Sequence, residues 1–313
     1  MAHTLLHLGG LMPAEMALLE TEYEVIRLAK ESDPEGALQQ HRLDIKAIVT
    51  SFTRKVSRQM IEGLPNLEII CQFGVGVDNI DLQAASERHV NVINTPDLVT
   101  ADTADLAMGL VLACARRMVE GDAYVRVNKW LNGPMPMGVS LTGKTIGIVG
   151  LGRIGQAVAR RAEAFGMQVA YTGRRKKGDF SYAYHDDILK LAEASDFMVL
   201  TVSGGADTKH MINFNVLKAL GPQGWLINVA RGTVVDEAAL LVALNNGDIA
   251  GAGLDVFADE PHVPEEFFAM DNVVLLPHVG TATIETRTKM GQLVLENLNA
   301  HFSGKPLITP VVA

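Results

Sequence analysis

The feature that most constrains this chain is an alternation running through nearly its whole length, in which short apolar, β-rich runs are separated by helical patterns. In the first third the runs fall at 4–8, 24–28, 46–50, 68–73 and 91–94, with helical stretches such as 13–20 and 81–88 between them. A second series occupies 145–149, 168–171, 197–202, 225–229, 253–256 and 273–276. Runs that are apolar throughout and joined by helical connections indicate parallel strands covered on both faces. The pattern therefore predicts an α/β protein with two doubly wound, parallel-sheet, Rossmann-like domains in series. At 313 residues the chain is long enough for two cores of ordinary size.

A long helical pattern at 101–127 follows the turn signal Asn94-Thr95-Pro96-Asp97 and separates the two series, and a second long helix is expected at 284–302. If that last helix returns to the first domain, the domain is discontinuous and the two long helices are its hinge. Hydrophobic residues at 48% and charged residues at 20% describe an ordinary globular chain. No apolar run approaches the roughly 20 residues of a membrane span. The N-terminal stretch has no basic leader ahead of a hydrophobic segment, so a secretory signal is not expected. A formal charge of −9 argues against a nucleic-acid partner, which calls for a basic face. Cys71 and Cys114, the only cysteines, lie in apolar surroundings and read as buried reduced thiols, which suits a cytoplasmic location.

The strongest local signal is GKTIGIVGLGRIGQAVARRAEAFG. A strand at 145–149 runs into Gly150-Leu151-Gly152-Arg153-Ile154-Gly155 and an amphipathic helix. The first glycine permits the tight turn, the second lets backbone approach a pyrophosphate, and the third lets helix and strand pack closely. The helix N-terminus then faces the phosphates. A lone GxGxxG also occurs for packing alone; its place between strand and helix is what makes the dinucleotide reading the stronger. An NAD site usually carries Asp or Glu about 20 residues on, for the ribose 2′-hydroxyl. This chain has Gly173-Arg174-Arg175-Lys176-Lys177 there, and no carboxylate until Asp179. Guanidinium groups bind a 2′-phosphate bidentately, so Arg174 and Arg175 point to NADPH, with NADH the weaker alternative. A solvated basic turn is the bland reading of the same residues.

Three further segments end strands of the second series: INVARG with Arg231, GLDVFADEP with Asp255 and Glu260, and LLPHVG with His278. In doubly wound sheets ligands gather at the carboxyl ends of strands. A cation to grip a carboxylate, a histidine to donate a proton and a carboxylate to support the imidazolium are sufficient to reduce a keto acid. Singly, Arg231 reads equally as a helix cap, Glu260 as a solvated acid and His278 as a core histidine. His3 and His7 invite a metal reading, but they lie on an expected strand without a third ligand, and no metal is expected. His185-Asp186-Asp187 reads as a capping turn, and His210 as structural, just before a helix start at Asn213.

Together FGVGVDNIDL, NTPDLVTADTADLAMGL, GIVGLGRIG, INVARGTVVDE, GAGLDVFADEP, VVLLPHVGTATIETR and HFSGKPLITPVV, in that order, resemble the D-isomer-specific 2-hydroxyacid dehydrogenase family over nearly the whole chain. Within it the chain is most similar to glyoxylate/hydroxypyruvate reductases and plant hydroxyphenylpyruvate reductases. The resemblance implies a substrate-binding domain of residues 1–98 plus 286–313 and a dinucleotide-binding domain of residues 99–285. It implies that Arg231 orients the substrate, that His278 is the acid/base and that Glu260 pairs with it. The main-chain amides of Val75 and Gly76 would take the substrate carboxylate, as a Gly-rich turn can. Thr103, Val229 and Asp255 match positions that contact the dinucleotide. The family also implies a homodimer whose interface includes the long helix at 101–127.

The chain departs from the family in two places. Ser203-Gly204-Gly205-Ala206-Asp207 replaces a Pro-Leu-Thr-Pro stretch, and NGPMPMG offers Met135 and Met137, with Trp130 shortly before, where some relatives use an aromatic side chain of the partner subunit. The expectation is NADPH-dependent reduction of a small 2-keto acid to the D-2-hydroxy acid. An NAD-linked dehydrogenase of other specificity, or a dinucleotide-sensing binding protein with little turnover, is the alternative.

Overall fold

A computed structural model of the chain describes residues 3–311; Met1, Ala2, Val312 and Ala313, which include the first residues of the N-terminal stretch and the end of the tail motif, lie outside the described residues. By its contacts the chain divides into two compact units, Met1–Val99 with Thr281–Ala313, and Thr100–Gly280.

The first unit carries β1 (Thr4–His7), α1 (Pro13–Glu22), β2 (Glu24–Arg27), α2 (Pro34–His41), β3 (Ile45–Ser51), α3 (Arg58–Gly63), β4 (Ile69–Phe73), α4 (Leu82–Glu87) and β5 (Asn91–Ile93). Its sheet has the order β2-β1-β3-β4-β5, and every neighbouring pair is parallel. α2, α3 and α4 begin where short polar side chains satisfy free N–H groups: Asp33 accepts from Gly36, Ser57 from Met60 and Asp81 from Ala84. β4 is buried at every position, as a strand covered on both faces must be.

The second unit opens on α5 (Thr100–Ala115) and α6 (Met118–Arg126). It continues with β6 (Thr145–Val149), α7 (Arg153–Ala164), β7 (Gln168–Thr172), β8 (Ala183–Tyr184), α8 (Ile188–Glu193), β9 (Phe197–Leu200), α9 (Phe214–Leu220), β10 (Trp225–Asn228), α10 (Glu237–Asn246), β11 (Gly251–Leu254) and β12 (Val273–Leu275). The sheet order is β12-β11-β10-β9-β6-β7-β8, parallel throughout. The direction of winding reverses between β6 and β9, the position at which such sheets bind ligands.

The last helix, α11 (Ile284–Phe302), packs on β4 and α1 of the first unit. Within it the buried Asn297 accepts from the N–H groups of Ile308 and Thr309 at 3.0 and 3.1 Å, and beyond it Val311 donates to the Val92 carbonyl at 2.8 Å. The contact division falls at Gly280/Thr281, ahead of α11, whereas the expected boundary at 285/286 lies inside the helix. A hydrogen-bonded helix behaves as one rod, so the earlier point is the natural joint.

Two expectations need correction. The helix expected over 101–127 is two helices, because Arg117 takes a left-handed conformation, φ 52°. α5 buries Ala107, Leu110, Val111 and Cys114 along an apolar face, whereas α6 buries no residue, so the helix breaks where the apolar pattern ends. The returning loop then closes the break, with Val139 donating to the Ala115 carbonyl at 2.8 Å. The strand expected at 253–256 lies at Gly251–Leu254. A Cβ on Gly251 would collide with the Trp225 ring, and one on Gly253 would stand 3.1 Å from Cys114 Sγ, so glycine here serves close packing rather than a turn. The two-residue edge strand β8 was not anticipated, being too short to carry a period. Both cysteines are buried free thiols; burial pushes Cys71 up, and Cys114 up to about 12.

Candidate active site

Because all strands of the second unit run parallel, the segments following β6, β7, β10, β11 and β12 emerge at one edge of its sheet. The first is the Gly-rich turn. Gly150 has φ 97°, and its N–H donates to the Thr172 carbonyl at 3.0 Å. A Cβ on Gly155 would collide with the Gly150 carbonyl oxygen, so the third glycine is dictated by helix–strand packing. Gly152 is different: a Cβ there would meet no protein atom within 4 Å. Nothing in the protein demands glycine at that position, which is the condition a closely approaching phosphate would impose. Gly152 is also the N-cap of α7 and offers no side-chain cap. Leu151 is buried beneath the turn, while Arg153 is exposed and Ile154 half-buried. These features fit a dinucleotide pyrophosphate.

After β7 the segment Gly173-Arg174-Arg175-Lys176 is exposed. Its course is set by two tyrosines: Tyr184 donates to the Gly173 carbonyl at 3.2 Å, and Tyr171 Oη accepts from the Lys177 N–H at 2.8 Å. Neither Arg174 nor Arg175 has a side-chain partner among the described residues, so two cations stand where a carboxylate would select against a 2′-phosphate. After β9, the loop in which glycines replace the family pattern is closed locally, with Thr208 Oγ1 donating to the Ser203 carbonyl at 2.8 Å.

Arg231, Glu260 and His278 follow the adjacent strands β10, β11 and β12. His278 Nδ1 lies 2.7 Å from Glu260 Oε2, and Glu260 Oε1 accepts the Phe257 N–H at 3.0 Å. The backbone of His278 is left-handed, φ 53°, a costly conformation for a residue with a bulky side chain. Asp255 holds it there. Its carbonyl accepts from the His278 N–H at 2.9 Å, and its two carboxylate oxygens accept from Val279 and Gly280, each at 2.8 Å. Burial raises the proton affinity of Asp255, the Val279 N–H and the His278 charge lower it, and the net direction is upward. Thr103 and Asp255, both buried, flank Gly280. Val229 is likewise buried.

Sequence reasoning overlooked Asn228, which is 1% exposed. Its side-chain oxygen accepts from Ala230 at 3.0 Å and its amide donates to the Arg231 carbonyl at 3.0 Å, fixing the turn that presents Arg231. The Arg231 side chain itself donates to the Ala230 carbonyl at 2.8 Å. An Asn at the end of a buried strand, three residues before Arg231, was the available signal.

In the first unit, the Val75–Gly76 loop follows β4. Asn94 holds the Val75 carbonyl at 2.8 Å and the buried Gln72 holds that of Gly76 at 2.9 Å. Asn79 in turn donates to Gln72 at 3.2 Å, and Thr95 accepts from the Gly74 N–H at 3.1 Å. The carbonyls are thus engaged, while neither the Val75 nor the Gly76 N–H donates to another described residue, an arrangement suited to an anion. Of the histidines set aside earlier, His3 stacks on Phe302 at 4.0 Å, while His7 Nε2 is buried without a hydrogen-bond partner among the described residues. In the His185-Asp186-Asp187 turn it is Asp187 that caps, accepting from Leu189 at 2.9 Å.

A seven-stranded parallel sheet with a phosphate-accepting turn at its switch point and charged loops along the same edge defines the class: dinucleotide-binding α/β proteins. The family is narrower. The model of the D-isomer specific 2-hydroxyacid dehydrogenase NAD binding domain matches residues 108–280. The chain is 48% identical over 294 residues to glyoxylate/hydroxypyruvate reductase A of Arabidopsis thaliana, covering 94% of each. It is 50% identical over 268 residues to hydroxyphenylpyruvate reductase of Plectranthus scutellarioides, covering 86% of each. A solved NADPH-dependent glyoxylate/hydroxypyruvate reductase of Sinorhizobium meliloti, in complex with NADP and malonate, superimposes with a TM-score of 0.91 at 41% identity, covering 100% of this chain and 97% of that one. This chain belongs to the D-isomer-specific 2-hydroxyacid dehydrogenase family.

Proposed function

We propose that this chain reduces a small 2-keto acid, glyoxylate or hydroxypyruvate first and a phenylpyruvate-type acid next, to the D-2-hydroxy acid with NADPH. The observation that carries the reading is the 2.7 Å contact between His278 Nδ1 and Glu260 Oε2, on the same sheet edge as the dinucleotide turn. Names of relatives that reduce glyoxylate, hydroxypyruvate and hydroxyphenylpyruvate point to the same substrate class.

Bound reduced nicotinamide supplies the hydride. Arg231 pairs with the substrate carboxylate, for which a planar guanidinium provides two parallel donors. With Nδ1 committed to Glu260, the His278 imidazolium delivers its proton from Nε2 to the carbonyl oxygen as that oxygen gains charge. The product is a hydroxyl and a neutral imidazole, and Glu260 steadies the charged ring before transfer. Asp255 and Thr103 would line the cofactor's nicotinamide side, with Val229 beside them. In the first unit, the Val75 and Gly76 amides are donors of a kind suited to a carboxylate. Arg174 and Arg175 would take the 2′-phosphate of NADPH, and Lys176 and Lys177 would add to the positive field. Two copies of the chain would associate as a homodimer, and a cytoplasmic location accords with two reduced cysteines.

Initial rates of reduced-nicotinamide oxidation, with NADPH and NADH against glyoxylate, hydroxypyruvate, phenylpyruvate and pyruvate, test the proposal. Turnover with NADPH on one of the first three is expected. Alanine at both Arg174 and Arg175 should raise the KM for NADPH about tenfold or more while leaving NADH nearly unchanged, since a charge-assisted pair contributes roughly 1.5–3 kcal/mol. A strong preference for NADH in the native protein would defeat the cofactor assignment, and silence with every pair would favour a sensing role.

A further inference from the structure

Glu260 is attached to a short turn that has its own restraints. The Phe257 N–H is bound by Glu260 Oε1 at 3.0 Å, and the next N–H along, that of Ala258, is bound by Glu237 Oε1 at 2.7 Å. Glu237 is the first residue of α10, a helix anchored by its N-cap Asp236, which accepts from Ala239 at 3.1 Å. On its other side the turn lies directly on Gly232, where any Cβ would fall onto the Phe257 carbonyl group. The turn is closed below by His262, whose N–H donates to the Asp259 carbonyl at 2.8 Å. Between Gly232, next to Arg231, and Glu237 on α10, the backbone that carries Glu260 has little freedom.

We infer that Glu237 is a positioning residue: by holding the Ala258 N–H it keeps Glu260 Oε2 on His278 Nδ1. The inference rests on the reading of the His278–Glu260 pair as the acid/base pair. Its electrostatics argue against a purely stabilising role. Burial raises the proton affinity of Glu237, the Ala258 N–H lowers it, and the neighbouring Asp259 and Glu260 charges raise it again, with a net upward shift. A half-buried carboxylate beside two others is an unfavourable place for a charge. Ala258 is exposed, so water would satisfy its N–H if Glu237 were lost. What Glu237 supplies is therefore location, not a hydrogen bond that would otherwise go unmade.

The test compares Glu237→Ala, Glu237→Gln and Glu260→Gln in the full chain. A glutamine oxygen can still accept the Ala258 N–H, so Glu237→Gln should keep kcat. Glu237→Ala should lose about 10- to 100-fold in kcat, the scale of a small misplacement of a reacting group, with the KM for keto acid little changed. In the Glu260→Gln background Glu237→Ala should cost almost nothing more, because the two act through one contact. An unaltered kcat in Glu237→Ala, a full additional loss in the double variant, or failure of Glu237→Gln to retain activity would each overturn the inference while leaving the pair intact. A wild-type kcat in Glu260→Gln would instead remove the pair itself, and this inference with it. If Glu237→Ala does not fold, Glu237→Asp, one methylene short of Ala258, carries the same comparison.

Discussion

His278 is held in a left-handed backbone conformation by Asp255. Asp255 takes the N–H groups of His278 and of the two residues after it, so the main chain aims the imidazole that pairs with Glu260. The pairing has a consequence for rate. Glu260→Gln removes the carboxylate that stands 2.7 Å from the ring, and kcat should fall by about 10²-fold, the lower end of what general acid catalysis contributes. An unchanged kcat in the variant would show that Glu260 does not act on His278. At this scale Arg231, Glu260 and His278 were legible as residue types at strand ends. Asn228 and the second function of Asp255 were not, because a side chain that binds backbone leaves no mark in residue spacing.

Among the elements, the β6–α7 turn separates two reasons for glycine. Gly155→Ala drives a Cβ into the Gly150 carbonyl, a rigid backbone group, so it should destabilise the second unit by about 1–3 kcal/mol, as overpacking does. Gly152→Ala meets nothing and should fold like wild type, yet bind dinucleotide weakly. Thermal melts alongside cofactor titration by fluorescence distinguish them; equal binding by Gly152→Ala and wild type would contradict the phosphate reading. In the first unit α1 and α11 are joined by Tyr23 Oη, which donates to Asn299 Oδ1 at 2.6 Å. Burial, with nearby Glu22, pushes the Tyr23 phenol up to about 12. The folded state thus holds the proton more tightly than the unfolded chain, whose tyrosines titrate near 10. The stabilisation is complete below about pH 10 and is lost as pH rises towards 12. Denaturation midpoints at pH 9 and pH 11.5 should diverge more in wild type than in Tyr23→Phe, and equal losses would disprove this linkage. The strands were readable because buried parallel strands are continuous apolar runs. The break at Arg117 was not, since α6 continues helical residue preferences after the apolar face has ended.

For the molecule as a whole, the second unit leaves apolar side chains in water along α6 and the segment after it. Met118 and Val119 are more than half exposed, Trp130 is 69%, Leu131 86% and Met137 95% exposed. Large apolar side chains left exposed in one stretch of chain mark an interaction face, and symmetric self-association is its commonest use. Sedimentation of the native chain should give a dimer, and glutamate at both Trp130 and Leu131 should shift it to a monomer without lowering the melting temperature of each unit. A monomeric native chain would exclude the proposal, as would a doubly substituted chain that stays dimeric. Among the described residues no helix is long and apolar enough to cross a membrane.

The sequence by itself determined the class of fold, because apolar runs of strand length separated by helical patterns admit few arrangements other than parallel sheets with helical crossovers. It also determined the chemistry on offer: a phosphate-ready turn, a basic segment where an acid would select NAD, and Arg, Glu and His at strand ends. Only the tertiary structure decided which groups meet. Glu260 reaches His278 because β11 and β12 are neighbours and a turn pressed onto Gly232 sets the angle. The terminal segment joins the first unit because Asn297 and Val311 find partners there, Asn297 along the tail and Val311 on β5. Spacing along a chain records local period, whereas such contacts depend on strand order and on backbone approach at single glycines, which spacing does not encode.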